Sequence, residues 1–376
     1  MEQRVRGWMS SSILRLLVAG LLCGAAVGVG AAPAAAAGAH GSERNAVRQV
    51  NLVSDVPGAA QLTDPDLVNA WGLALGPTSP LWVADNGTDK ATLYTGGQRG
   101  SPVAKVGLVV DIPSSEPPNG GAPTGQVFNG TSDFVLHTGG KTGPARFLFA
   151  GEDGDLIAWN GTGDATKAVV VAHVDGAVFK GLALLQTEAG PFLLVTNFRD
   201  NRIEIFDKDF THVSAPRAFR SKGIPAGFAP FNVAVIGNRV FVTYAKQDAN
   251  KEDDVKGPGN GFINTFSSHG RFLSHFARRG VLNSPWGMTI APDDFGKFEG
   301  KLLVGNFGDG RIHVFNPRNG DLLATLRRPS GSPIEIDGLW ALLPGTDVAG
   351  GRHNVWFSAG PDDESHGLLG LLEAVD

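Results

Sequence analysis

The chain has 376 residues, longer than a usual single domain, with 52 Gly, 23 Pro and only 18% charged residues. That mix suits many short strands joined by tight turns and argues against long solvated helices, while a hydrophobic share of 42% excludes a disordered chain. The formal net charge of −5 offers no electrostatic reason to expect nucleic acid or anionic lipid as a partner.

In chain order, the first signal is one of export. Arg4, Arg6 and Arg15 give a positive flank, an apolar run follows from about Leu16 to Gly30, and Ala31 to Ala37 is a small-residue tract suited to cleavage. A secretory signal over residues 1–37 and a flexible lead over 38–48 are expected, with the mature protein secreted and without a membrane span. An uncleaved anchor is the rival reading; the segment is short, rich in Ala and Gly, and has no stop-transfer pattern after it. The single cysteine, Cys23, leaves with the signal, which removes disulfides, cysteine nucleophiles and thiolate metal sites from consideration. Three Arg and one Glu leave with it, so the mature charge is −7.

Six similar units follow. The fifth is the clearest: Trp286-Gly287-Met288 opens an inner strand, Leu302-Leu303-Val304-Gly305-Asn306 a second, and Arg311-Ile312-His313-Val314-Phe315 a third. The same order starts at Trp71-Gly72 and Lys180-Gly181, and in weaker form at Thr124-Gly125, Phe231-Asn232 and Asp337-Gly338. The repeated positions 72, 125, 181, 232, 287 and 338 are spaced by 53, 56, 51, 55 and 51 residues. A period near fifty residues with about four short strands per unit predicts an all-β, six-bladed β-propeller over residues 49–376. Fourth strands are expected at Val103–Val110, Lys167–His173, Val213–Phe219, Phe272–Ala277 and Leu322–Leu326. The sixth unit ends after three strands, so Gln49–Ser54 is expected to complete it and close the ring. An open solenoid with a free first strand is the alternative.

In this architecture two sets of residues gather on one face. Trp71, Thr124, Lys180, Phe231, Trp286 and Asp337 stand at the mouth of the central channel. The hairpin loops Asp85–Lys90, Glu152–Asp155, Asn197–Arg202, Gln247–Gly261, Asn306–Arg311 and Pro361–Gly367 surround them, and Gln247–Gly261 is the longest and most charged.

Pro285-Trp286-Gly287-Met288 through Arg311-Ile312-His313-Val314-Phe315 resembles the NHL-type six-bladed propellers. Over nearly the whole mature chain, Asn51-Leu52-Val53-Ser54-Asp55, Asp64-Pro65 through Trp71-Gly72, Asn283-Ser284-Pro285-Trp286-Gly287 and Asn306 to Ile312 resemble an uncharacterised bacterial family of exported propellers. That family was first noted among proteins with PEP-CTERM sorting tails. Leu371 to Asp376 show no such tail, which favours free secretion. The resemblance implies a fold and an export route and no settled activity.

Three functions are weighed. A calcium-dependent lactonase is suggested by the resemblance to gluconolactonase-type propellers, in which Asp or Asn ahead of an inner-strand Gly supplies metal ligands. Only Asp337 fits that pattern, against Trp71, Thr124, Lys180, Phe231 and Trp286. Asp337 is the weak metal candidate and calcium the only cofactor considered. Lys180 and Asp337 fall on opposite blades and are read either as a ligand-orienting pair or as a satisfied ion pair. The aromatics either stack on a ligand or plug the channel. Asp153-Gly154 and Asp309-Gly310 are turn formers, and the acidic runs Glu252-Asp253-Asp254 and Pro361 to Glu364, which lack the spacing of a calcium loop, are read as solvated charge runs, with a surface calcium site as the alternative. With no zinc-binding His pair and no nucleophile elbow, binding of a protein, glycan or cell-envelope component at the mouth is the leading expectation. A metal-dependent hydrolase or lactonase is the second, and a structural envelope protein the third.

Overall fold

A computed structural model describes residues 46–116 and 120–375. The expected signal and cleavage site lie outside the described residues. Among the described residues no helix is long and apolar enough to cross a membrane.

The architecture is a six-bladed β-propeller. Inner strands run Ala70–Ala74, Pro123–Phe128, Phe179–Thr187, Phe228–Ile236, Pro285–Ile290 and Leu339–Pro344. Each pairs antiparallel with a second strand and that with a third. The opening strand, Ala46–Ser54, closes the last blade by pairing antiparallel with Leu368–Val375, from Ala46↔Val375 to Ser54↔Leu368. It begins three residues before the expected Gln49.

Each inner strand carries a register shift near its start, where one or two residues bulge toward the axis. A bulge bends the strand and re-aims a side chain; here it points one residue per blade into the channel. It also presses neighbouring inner strands together. A Cβ on Gly72 would stand 2.3 Å from Thr124 O, and one on Gly287 2.6 Å from Trp340 O. Hydroxyls tie the blades at the same level. Thr196 Oγ1 accepts from the Gly181 amide at 2.6 Å and donates to Phe231 O in the next blade at 3.3 Å. Ser358 Oγ accepts from the Ala341 amide and donates to Trp71 O at 2.5 Å.

That pattern corrects the sixth repeat. Leu339 pairs with Ala359 and Leu342 with Phe357, so Trp340-Ala341 is the equivalent of Trp286-Gly287. Gly338 has a φ of +63° and turns the chain ahead of the strand. Two other expectations differ. The fourth strand expected at Val213–Phe219 is absent; a single bridge from Phe206 to His212 stands in its place. Blade two carries an extra hairpin, Val135–Thr138 with Lys141–Pro144, between its first and second full strands.

Candidate functional site

The bulges bring Trp71, Thr124, Lys180, Phe231, Trp286 and Trp340 to one level of the channel. All six are buried. Asp337 is not among them. It lies exposed on the last blade and accepts the Asp362 amide at 2.9 Å. Lys180 and Asp337 therefore do not form the cross-channel pair.

The rings pack on each other. Trp71 stacks on Trp340 at 3.6 Å between centroids, Phe307 covers Trp340 at 3.8 Å, and Trp286 meets both Trp71 and Trp340 edge-on at 6.1 and 5.8 Å. Phe198 lies against Phe231 at 5.4 Å. Offset and edge-on contacts of this kind suit aromatic quadrupoles. With Trp71 at 2% and Trp286 at 4% exposure, neither ring offers a free face on which a sugar can stack. The rings close the channel. Beneath them is a cavity of about 420 Å³ lined by inner strands, where the Gln126 amide has no partner.

Above the rings sits a charged cluster built by the hairpin loops. Lys180, itself 1% exposed, reaches up from the plug and donates to Glu152 at 2.5 Å and to Asp253 at 3.3 Å. Its ammonium also lies 5.0 Å from the Trp71 ring. Glu152 comes from the second blade's loop, Asp253 from the long loop of the fourth and Glu364 from the sixth. Asn69 organises the other side. Its amide nitrogen donates to Glu364 at 2.8 Å and to Asn86 at 3.1 Å, and its oxygen accepts the Trp340 indole N–H at 3.0 Å. Asn86 in turn donates to Glu152 at 3.2 Å. The chain of contacts thus runs Lys180, Glu152, Asn86, Asn69, Glu364.

The electrostatics follow from one buried ammonium among several carboxylates. Burial pulls Lys180 down, but Glu152 and Asp253 outweigh it and hold the ammonium above the usual lysine range. Lys180 is therefore charged and is no general base. Burial pushes Glu364 up to about 7, despite the opposing pull of Lys180 and Asn69. Burial likewise lifts Asp254 to about 6. Ser284 lies close enough to temper that rise, yet neither its hydroxyl nor Asp254 Oδ2 completes a hydrogen bond, and the Trp71 and Trp286 indole N–H groups are also without partners.

Calcium needs about six to eight oxygen ligands. Here the Lys180 ammonium occupies the space between Glu152 and Asp253, and Asp337 stands apart. Among the described residues no three acidic, His or Cys side chains converge as a metal set. These residues do not make a calcium cage.

Sequence reasoning reached the mouth and the loops over it, and picked out Trp71, Thr124, Lys180, Phe231 and Trp286. It missed Trp340, hidden behind a misaligned glycine, and the inward turn of Glu152, Asp253, Asp254 and Glu364. The available signal was three acidic loops facing the one lysine at the channel positions.

The chain is 34% identical over 330 residues to uncharacterized protein R648 of Acanthamoeba polyphaga mimivirus, covering 85% of this chain and 78% of that one. It is 33% identical to uncharacterized protein L690 of the same virus, over 85% of this chain and 84% of the other. No protein-family model matches it. A crystal structure of a protein of unknown function from Bacteroides thetaiotaomicron aligns with a TM-score of 0.50 at 12% identity, over 87% of this chain and 76% of that one, a likeness of fold alone.

Proposed function

This chain belongs to the same family as the mimivirus proteins R648 and L690, and we propose that it is an exported binding protein. Its channel mouth takes a cationic group, an amine or guanidinium, carried by a partner protein, a glycan or another cell-envelope component. Export is the route implied by the N-terminal pattern and by the resemblance to exported propellers. The observation that supports binding at the mouth is the excess of carboxylates over Lys180. Glu152, Asp253, Asp254 and Glu364 gather around the buried Lys180 ammonium, with Lys256 the second cation near Asp254, and Asp254 keeps a buried oxygen without a partner. An incoming cation would satisfy that charge, since charge complementarity of this kind sets partner choice and encounter rate. The aromatic rings serve as the floor of the site and not as stacking platforms.

Titrating the purified protein with oligolysine, with a neutral dextran and with polyglutamate tests the reading. Oligolysine should bind in a salt-sensitive way, and Asp253→Asn with Glu364→Gln should weaken it about tenfold. No preference for oligolysine over dextran, or a double variant that binds as the parent does, would sink it. A pull-down against the producing cell's own envelope and exopolysaccharide then identifies the partner.

One observation favours a second reading, hydrolysis. Glu364 is held near the pH of proton donation, at about 7, on the same network as Glu152, which Lys180 engages as a carboxylate. A proton donor and a carboxylate in one site suit acid–base chemistry. Glycoside or ester hydrolysis that falls as pH rises past about 7 and disappears in Glu364→Gln would move the assignment to an enzyme.

A further inference from the structure

Blade three has only the strands Phe179–Thr187, Gly190–Asn197 and Arg202–Phe206, so the third of these forms its outer edge. The chain leaving that strand follows the edge briefly. The Asp207 amide donates to Thr211 O at 3.0 Å and the Val213 amide to Ile205 O at 2.8 Å. A turn then sends Phe219 into the core between blades three and four. Along a strand, alternate residues direct their backbone groups to the same side. Ile203 therefore points its N–H and C=O outward as Ile205 does, and no loop backbone meets it among the described residues. The open half of this edge lies toward the mouth face, where Arg202 begins the strand.

A cleft of about 500 Å³ lies along it, between Asn201–Ile205 and His212–Ser221. The segment forming its far wall also bounds a second cavity of about 780 Å³. Arg220 lines both cavities and Arg217, Lys222 and Arg271 line the second, and none of the four enters an ion pair among the described residues. Glu204, the carboxylate in the cleft, is taken up by Asn197, Arg202 and His212. In a chain of net charge −5, this is a local concentration of unpaired positive charge.

We propose that blade three accepts an extended, carboxylate-rich segment of a partner protein as its missing fourth strand. Edge backbone groups are satisfied by another backbone in strand addition, and the flanking cations select acidic side chains on it. A polyanion without a peptide backbone would use the cations and leave Ile203 unpaired, which is why a peptide is the better occupant. This site is separate from the acidic mouth and of opposite sign.

The test uses the full protein and fluorescence anisotropy with three labelled peptides: one alternating glutamate and valine, its lysine–valine counterpart, and the acidic peptide N-methylated at alternate amides. The acidic peptide should bind, and both the lysine and the N-methylated versions should bind at least about tenfold more weakly. Arg220→Glu should cost a similar factor without changing the melting temperature, because its side chain is exposed and lines the cleft. Asp253→Asn with Glu364→Gln should leave this binding intact, which separates the outcome from that at the mouth. Equal binding of the N-methylated peptide would reduce the cleft to a charge-only polyanion site and overturn strand addition. Equal binding of the lysine peptide would overturn the charge selection. Self-association that the acidic peptide does not dissociate would assign the edge to a second copy of the chain, and would overturn the proposal too.

Discussion

At the scale of single residues, Lys180 decides the character of the mouth. A buried ammonium is costly by itself, and here it is held by Glu152 and Asp253, whose side chains keep 30% and 74% exposure. Lys180→Met should destabilise the protein by about 2 kcal/mol at pH 8, discounted for that exposure. The loss should shrink at pH 5, where Glu364 and Asp254 take up protons and the repulsion among the acids fades. Chemical denaturation at the two pH values measures it. Glu364 carries the complementary prediction. Its folded pKa of about 7 lies above the ordinary 4.5, so the folded protein binds more protons than the unfolded chain across that window. Stability from this group is thus greatest below pH 4.5 and falls as pH rises through about 7. Glu364→Gln should raise stability at pH 8 by about 2 kcal/mol and flatten the profile over that window. An unchanged profile would show that Glu364 titrates as an ordinary surface acid.

At the scale of elements, the closing strand matters most. Ala46–Ser54 supplies buried Val47, Leu52 and Val53 and covers the edge of Leu368–Val375. Removing residues 46–54 should abolish a sharp thermal transition and leave an aggregation-prone edge. A synthetic Ala46–Ser54 peptide should restore the transition, as followed by circular dichroism. The milder Leu52→Ala should cost about 2–4 kcal/mol. This closure was legible in the sequence because a period of known length ended one strand short, and the strand to fill it stood at the other end. The sixth repeat was misaligned for a physical reason. Asp337-Gly338 looks like the repeated glycine, but Gly338 is there for its positive φ, while the inner strand itself carries Ala341. The fourth strand of blade three was misjudged because the apolar Val213, Ala215, Ala218 and Phe219 serve the core between blades, where Phe219 is 3% exposed, and do not mark a strand. The acidic loops could be located but not oriented. Only three-dimensional convergence on Lys180 separates Glu152 and Glu364 from ordinary solvated acids.

At the scale of the molecule, the hydrophobic core lies between the blades. Trp82 and Leu93 of blade one pack with Phe147 and Phe149 of blade two in one cluster, and Leu148 and Leu156 of blade two with Phe179 and Leu193 of blade three in the next. The same alternation continues through blades three and four, four and five, and five and six. At the last interface, Leu52, Trp356 and Leu371 meet Leu73 and Tyr94 in a cluster continuous with the aromatic plug of the channel. No blade owns its core, so none can unfold and leave its neighbours intact. The ring is therefore expected to melt in one transition, with calorimetric and van't Hoff enthalpies in agreement. Phe149→Ala and Phe241→Ala, in clusters on different sides of the ring, should each lower that single transition, at a cost of about 3–5 kcal/mol. Two resolved transitions, or a variant that splits the melt, would show that part of the ring carries a core of its own.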